Sequence, residues 1–276
     1  MRVVYIALTI FILLSYGGCT KVPSYKDRLQ RAIFIGGKSL VHKNIKTSYF
    51  NFFTLSKLGS SCKNEDIKVY IEGDGLAWIT RSKISSNPTP INPIALSLMK
   101  VDHSSCKIYI ARPCQYNFTK NCKNKYWTNS RFSQEIIDNY NELLNHIKQE
   151  YKNKSFTLVG YSGGGTIATL ISATRYDISK LITIAGNLDI KKWAEIHNIS
   201  TLQGSLNPVN YTSKLEELPQ FHLIGNMDNI VPKEIFLSYL KHFNGINHIK
   251  YYEYSASHSC FWESIYKEFL KKLNKK

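Results

Sequence analysis

The sequence predicts an α/β fold with a doubly wound, mostly parallel sheet. Three observations carry that expectation. Seven short apolar runs recur along the chain, several of them apolar nearly throughout, as strands buried on both faces are. Helical periodicity falls between successive runs, so strand and helix alternate. The chain has 276 residues, 43% of them hydrophobic, enough for one large domain with a full core, and no linker-like stretch divides it.

The N-terminal segment MRVVYIALTIFILLSYGGC combines a basic start, an apolar run from Val3 to Leu14 and small residues ahead of Cys19. Residues 1–18 therefore read as an export signal, and residues 19–276 as a single domain. The apolar run falls short of the roughly 20 residues that span a bilayer. Small residues directly before a cysteine are similar to the bacterial lipoprotein signal, which makes Cys19 the candidate for acylation. Tyr16 departs from the aliphatic residue usual there, and an ordinary cleaved signal is the alternative.

The strand-like runs follow in order: NFFTLSKL, IKVYIEG, KIYIARP, FTLVGYS, LITIAGN, FHLIGN and IKYYEYS. Between the third and fourth, Ile136, Ile137, Tyr140, Leu143, Leu144 and Ile147 recur at helical spacing, with Ser133 as the expected N-cap. Pro232 to Phe243 reads as a helix with proline in its first turn and Gly245 just past its end. Phe261 to Lys276 places Phe261, Ile265, Tyr266, Phe269 and Leu273 on one stripe. Sites of such sheets lie beyond the carboxyl ends of the strands.

After export the remaining cysteines are Cys62, Cys106, Cys114, Cys122 and Cys260. The odd set fits an oxidising compartment with two bridges and one spare thiol. Cys114 and Cys122 close a short polar loop. Cys62 and Cys106 each precede a strand-like run, and parallel neighbouring strands would bring those starting ends together. Cys260 is the candidate free thiol. No Cys-x-x-Cys or His-x-x-x-His spacing supports a metal site, so none is expected.

With 36 Lys and Arg against 20 Asp and Glu, the formal charge is +16. That balance points to anionic surroundings such as phospholipid headgroups or acidic envelope polymers, with a soluble basic surface from a lysine-rich composition as an equal alternative. Export and the scatter of the lysines argue against nucleic acid as the partner.

The chemistry centres on SFTLVGYSGGGTIATL, where an apolar strand meets a glycine turn opening onto a small-residue helix. Gly160-Tyr161-Ser162-Gly163-Gly164 matches Gly-x-Ser-x-Gly, a strained turn that exposes a nucleophilic serine. FHLIGNMDNIVP then places Asp228 beyond a strand, and IKYYEYSASHSC places His258 in the loop after the last one. Asp189, after LITIAGN, is the alternative acid, at the start of the candidate cap segment DIKKWAEIHN. Ser, Asp and His in this order, each ending a strand, form the set needed for acyl transfer.

On these residues the chain resembles the serine hydrolases of the α/β-hydrolase fold, over roughly Phe52 to Lys276. The resemblance implies Ser162 as nucleophile, His258 as base and Asp228 as the acid that orients it. It also implies an oxyanion hole with one backbone donor at Gly163 and a second at Asp74 or Gly75. Glu72-Gly73-Asp74-Gly75 occupies the place of the family's His-Gly-x-Gly loop, with Glu72 where histidine is usual. NPTPINPIALSL, YIARPCQY and KYWTNSRFS are similar to segments of bacterial envelope hydrolases. The implied activity is cleavage of a small-molecule or lipid ester, without metal or organic cofactor, at the periphery of an envelope membrane. Two alternatives stand beside it: cleavage of an amide or peptide bond, and a non-catalytic envelope protein that keeps the scaffold for binding. Trp78, Trp127 and Trp193 are candidates to line an acyl pocket.

Overall fold

The computed structural model describes residues 22–273. The export segment, Cys19 and the last three lysine-rich positions lie outside the described residues. Eight strands form one sheet: β1 (Val41–Lys46), β2 (Asn51–Lys57), β3 (Asp66–Ile71), β4 (Lys107–Ile110), β5 (Ser155–Tyr161), β6 (Ile178–Ile184), β7 (Gln220–Gly225) and β8 (Ile249–Tyr254). Their spatial order is β1-β2-β4-β3-β5-β6-β7-β8. β2 runs antiparallel to both neighbours, and every pairing from β4 to β8 is parallel. Parallel neighbours need crossovers, and seven helices provide them or flank the sheet: α1 (Tyr25–Gly36), α2 (Ile94–Val101), α3 (Gln134–Tyr151), α4 (Gly163–Ser172), α5 (Ile190–Ile196), α6 (Lys233–Leu240) and α7 (Trp262–Leu273).

Alternation along the central strands divides the core in two. Ile67, Val69 and Ile71 of β3 and Phe156 and Leu158 of β5 face the side covered by α3 and α4. Tyr70 of β3 and Val159 and Tyr161 of β5 face the other side, with Leu96 and Met99 of α2 and Trp262, Tyr266 and Phe269 of α7. Because both faces are covered, these strands lack a polar side, which is why they read as continuous apolar runs.

Several boundaries differ from the sequence expectation. Ser133 stands at the N-cap of α3 with extended backbone, but its side chain makes no capping bond. Pro232 is the N-cap of α6 rather than a residue of its first turn. Phe261 precedes α7 with φ +70°, so the helix starts at Trp262.

Cys62 and Cys106 are bonded across the entries of β3 and β4, which pair in parallel, with a Cα–Cα distance of 5.6 Å. Cys114 and Cys122 close the loop after β4, also at 5.6 Å. Cys260 is free and exposed. Two bridges fit an oxidising compartment. Among the described residues, no helix is long and apolar enough to cross a membrane.

Candidate active site

Strands β3, β5, β7 and β8 point the same way, so the loops that leave them open at one edge of the sheet. Ser162 follows β5, with φ 52° and ψ −120°. A non-glycine residue at this φ is strained and is held there by its surroundings. The Ser162 N–H donates to the Ile184 carbonyl at 2.9 Å, and its own carbonyl accepts from Gly165 N–H at 2.9 Å. The turn closes so tightly that a Cβ on Gly160 would sit 2.3 Å from the Gly164 carbonyl oxygen, and a Cβ on Gly164 would sit 2.2 Å from that of Ile71. Only glycine fits at either position. Although Ser162 is the N-cap of α4, its hydroxyl makes no capping bond. It faces His258 instead.

The Oγ of Ser162 lies 3.0 Å from Nε2 of His258, and Nδ1 of the same ring lies 2.8 Å from Oδ2 of Asp228. If Nδ1–H donates to the carboxylate, Nε2 is left to accept the serine proton. The other carboxylate oxygen of Asp228 accepts from the N–H groups of Ile230 and Val231, each at 2.9 Å. The side chain is fully buried, and both its oxygens are engaged. The His258 carbonyl is held in turn by the Tyr161 hydroxyl at 2.8 Å and Trp262 Nε1–H at 2.9 Å, which fixes the loop that carries the ring.

Asp189 is not part of this cluster. It caps α5 by accepting from Lys191 and Lys192 N–H, and its carboxylate also accepts from Asn207 Nδ2 at 2.9 Å and the Ser238 hydroxyl at 2.7 Å. Its oxygens are committed to joining α5, α6 and the segment before β7.

The loop Glu72–Gly75 lies against the serine: a Cβ on Gly73 would be 3.4 Å from Ser162 Cβ. Gly73 N–H donates to Glu72 Oε1 at 2.9 Å. The N–H of Asp74 has no partner among the described residues. The side chain of Asp74 reaches Gly163, where a Cβ would meet its Oδ1 at 2.2 Å. Two arginines hold that carboxylate from opposite ends, Arg112 Nη1 to Oδ1 at 2.8 Å and Arg131 Nη1 to Oδ2 at 2.7 Å. Burial would push the Asp74 carboxyl up, but Arg131 and then Arg112 outweigh it and hold the group below the usual carboxylate range.

Beneath the loop Glu72 is buried. Burial raises its carboxyl to about 7, against the opposing effect of the donors it accepts from: Gly73 N–H, Ala95 N–H at 3.4 Å and the Tyr109 hydroxyl at 3.1 Å. Ala95 belongs to the first turn of α2, whose N-cap Pro93 has no side chain to offer, so Glu72 takes over part of the capping.

Glu72, Arg112 and Arg131 therefore shape the site without having been assigned roles from sequence. The arginines lie inside YIARPCQY and KYWTNSRFS, segments noted from sequence only for their similarity to those of bacterial envelope hydrolases. No local pattern signals that two arginines nearly twenty positions apart converge on one aspartate. Of the three tryptophans, Trp127 is core, with Nε1–H bonded to the Ser85 carbonyl, while Trp78 is exposed and Trp193 is bonded to the Ile230 carbonyl beneath the Arg131 guanidinium.

The chain has the α/β-hydrolase fold, as comparison with solved structures shows. An esterase from Pyrococcus furiosus superposes with a TM-score of 0.57 at 14% identity, over 91% of this chain and 95% of that one. Est1E from Butyrivibrio proteoclasticus superposes with a TM-score of 0.58 at 13% identity, over 85% of this chain and 99% of its own. A puromycin hydrolase superposes with a TM-score of 0.59 at 12% identity, over 84% of this chain and 38% of that longer one. At these identities the likeness is one of fold. No protein-family model matches the chain, and no curated protein matches it.

Proposed function

We propose that this protein is a serine hydrolase that cleaves carboxylic esters through an acyl-enzyme. The observation that carries the reading is one imidazole lying 3.0 Å from a serine hydroxyl and 2.8 Å from a buried carboxylate. Ser162 Oγ attacks the ester carbonyl while His258 Nε2 takes its proton. Asp228 keeps the ring in the productive tautomer and stabilises the imidazolium. The carbonyl oxygen, now negative, is met by the N–H groups of Gly163 and Asp74 or Gly75. Each such donor is worth about 3 kcal/mol of barrier. His258 then returns the proton to the departing alcohol, and water repeats the sequence to release the acid. The N–H groups of Asp74 and Gly75 are both without a partner among the described residues, and Asp74 fits as the second donor because its carboxylate is fixed by two arginines.

The same geometry can cleave an amide, and the likeness to a puromycin hydrolase keeps that bond as the second reading. In the full chain, residues 1–18 act as the export signal and Cys19 as the site of a lipid anchor, which leaves the enzyme at the periphery of an envelope membrane.

A fluorophosphonate probe tests the reading. Labelling at Ser162, lost in Ser162→Ala together with turnover of short-chain esters, is the expected result. A folded Ser162→Ala protein that keeps the parent rate would overturn it. Parallel assays on an ester and its matching anilide separate the two bonds.

A further inference from the structure

The carboxyl edge that carries Ser162 also carries an unusual surface on one flank. It is made by the loops that leave the neighbouring parallel strands β3 and β4. In the first, Trp78 and Ile84 pair across a short antiparallel bridge, and Ile79 N–H donates to the Lys83 carbonyl at 2.8 Å. Directly opposed residues project from the same face of such a ribbon. Trp78, Ile79 and Ile84 are 40%, 41% and 36% exposed, and Phe118 on the second loop is 49% exposed. The two loops are joined. Trp127 donates from Nε1 to the Ser85 carbonyl at 3.0 Å, and its ring centroid lies 5.9 Å from that of Phe118. The Cys114–Cys122 bridge braces the second loop.

The charge on this flank is predominantly positive, with the Glu135 carboxylate at its border, where it accepts from the Tyr126 hydroxyl. Arg81 and Lys83 on the first loop and Lys120, Lys123 and Lys125 on the second are all exposed. Between Asp74 and Glu135 the sequence has a single carboxylate, Asp102. That one precedes β4, at the opposite edge of the sheet, and is paired with Lys68 at 2.9 Å. A second copy of this chain would bring cations against cations, which disfavours self-association here. A polyanion would satisfy the lysines but leave the apolar tips in water. Exposed tryptophan and isoleucine tips sharing two loops with exposed cations match the boundary between acyl chains and anionic headgroups.

We propose that this flank, residues 77–85 with 114–125, docks onto an anionic lipid surface. Trp78, Ile79, Ile84 and Phe118 enter the headgroup region, and the five cations pair with lipid phosphates. The docking sets the edge that carries Ser162 at the lipid boundary, and it does not depend on Ser162 acting as a nucleophile.

The test is a titration of the full-length protein with vesicles of phosphatidylcholine alone and of phosphatidylcholine mixed with phosphatidylglycerol. Parent and variants share the same N-terminal segment, so differences between them belong to this flank. The expected result is binding at least tenfold tighter to the anionic vesicles, weakened by salt. Lys123→Ala/Lys125→Ala should bind roughly thirtyfold more weakly, at about one kcal/mol per cation near the surface. Trp78→Ser/Ile79→Ser should lose a similar factor. Arg81→Ala/Lys83→Ala keeps the apolar tips and serves if the serine variant does not fold by circular dichroism. Variants that bind the anionic vesicles as tightly as the parent overturn the proposal. So does a parent that binds duplex DNA as tightly as it binds the vesicles at the same salt.

Discussion

At His258 the two ring nitrogens face different partners, and the acid on Nδ1 is the residue whose replacement separates the two aspartates. Asp228→Asn would present an amide that favours the wrong tautomer, and turnover should fall about 10⁴-fold with little change in fold. Asp189→Asn should leave turnover near the parent value, because that side chain bonds α5, Asn207 and Ser238 rather than His258. Its cost is expected in stability, about 1 to 2 kcal/mol for a weakened cap and a disturbed buried network. Steady-state rates with denaturant melts on both variants check the pair. Equal losses of turnover would remove the proposed acid. Glu72 makes a second prediction, about pH. In the unfolded chain its carboxyl titrates near 4.3, whereas burial raises it to about 7 in the fold. The folded state thus binds the extra proton between those values. The associated stability is fully present below about pH 4.3 and is lost as pH rises through about 7, by a few kcal/mol in all. Glu72→Gln keeps an oxygen for Gly73 and Ala95 N–H without the charge, and should flatten this slope. Melting curves across pH 5 to 8 decide it: an unchanged slope in the variant would place the titration elsewhere.

At the scale of elements, what the sequence discloses depends on whether an element's pattern is its own. The strands from β2 to β8 were readable because each is apolar where it meets helices on both faces, or ends at a turn with marked chemistry. β1 was not readable: VHKNIK is almost wholly exposed, pairs in the sheet with β2 alone, and has no apolar rhythm to detect. α1 was missed for a related reason. Its docking uses the buried guanidinium of Arg28, bonded to the Thr89 carbonyl, a partner that no local spacing reveals. α2, IALSLMKV, is apolar except for Ser97 and Lys100 and has the length of a buried strand, so periodicity could not identify it. Ser162, Asp228 and His258 were legible because each stands where a strand ends. Glu72, Arg112 and Arg131 act through tertiary contacts, and a serine in a glycine turn carries no trace of them. Ser133 shows the converse, a cap residue in the right place whose hydroxyl makes no cap.

At the scale of the whole molecule, the two bridges restrain very different lengths of chain, and this ranks their contributions. Cys62–Cys106 closes a loop with a sequence separation of 44, and Cys114–Cys122 one of 8. Chain entropy gives about 4 kcal/mol for the longer loop and about 2.6 kcal/mol for the shorter. A domain is stable by only about 5 to 15 kcal/mol, so removing both is expected to consume a large share of the margin, from roughly half to all of it. The longer bridge also ties together the entries of β3 and β4, two strands whose far ends carry the loop beside Ser162 and the lipid-facing flank. The shorter one shapes the second loop of that flank. Cys62→Ser/Cys106→Ser should therefore lower the denaturant midpoint by more than Cys114→Ser/Cys122→Ser does. The second variant should retain ester turnover while binding anionic vesicles less tightly, since its loop no longer holds Phe118 and the lysines in one arrangement. Denaturant melts rank the two stabilities, and vesicle titration reads the loop. A larger stability loss from the shorter bridge would show that native contacts around Cys114, rather than chain entropy, set the order.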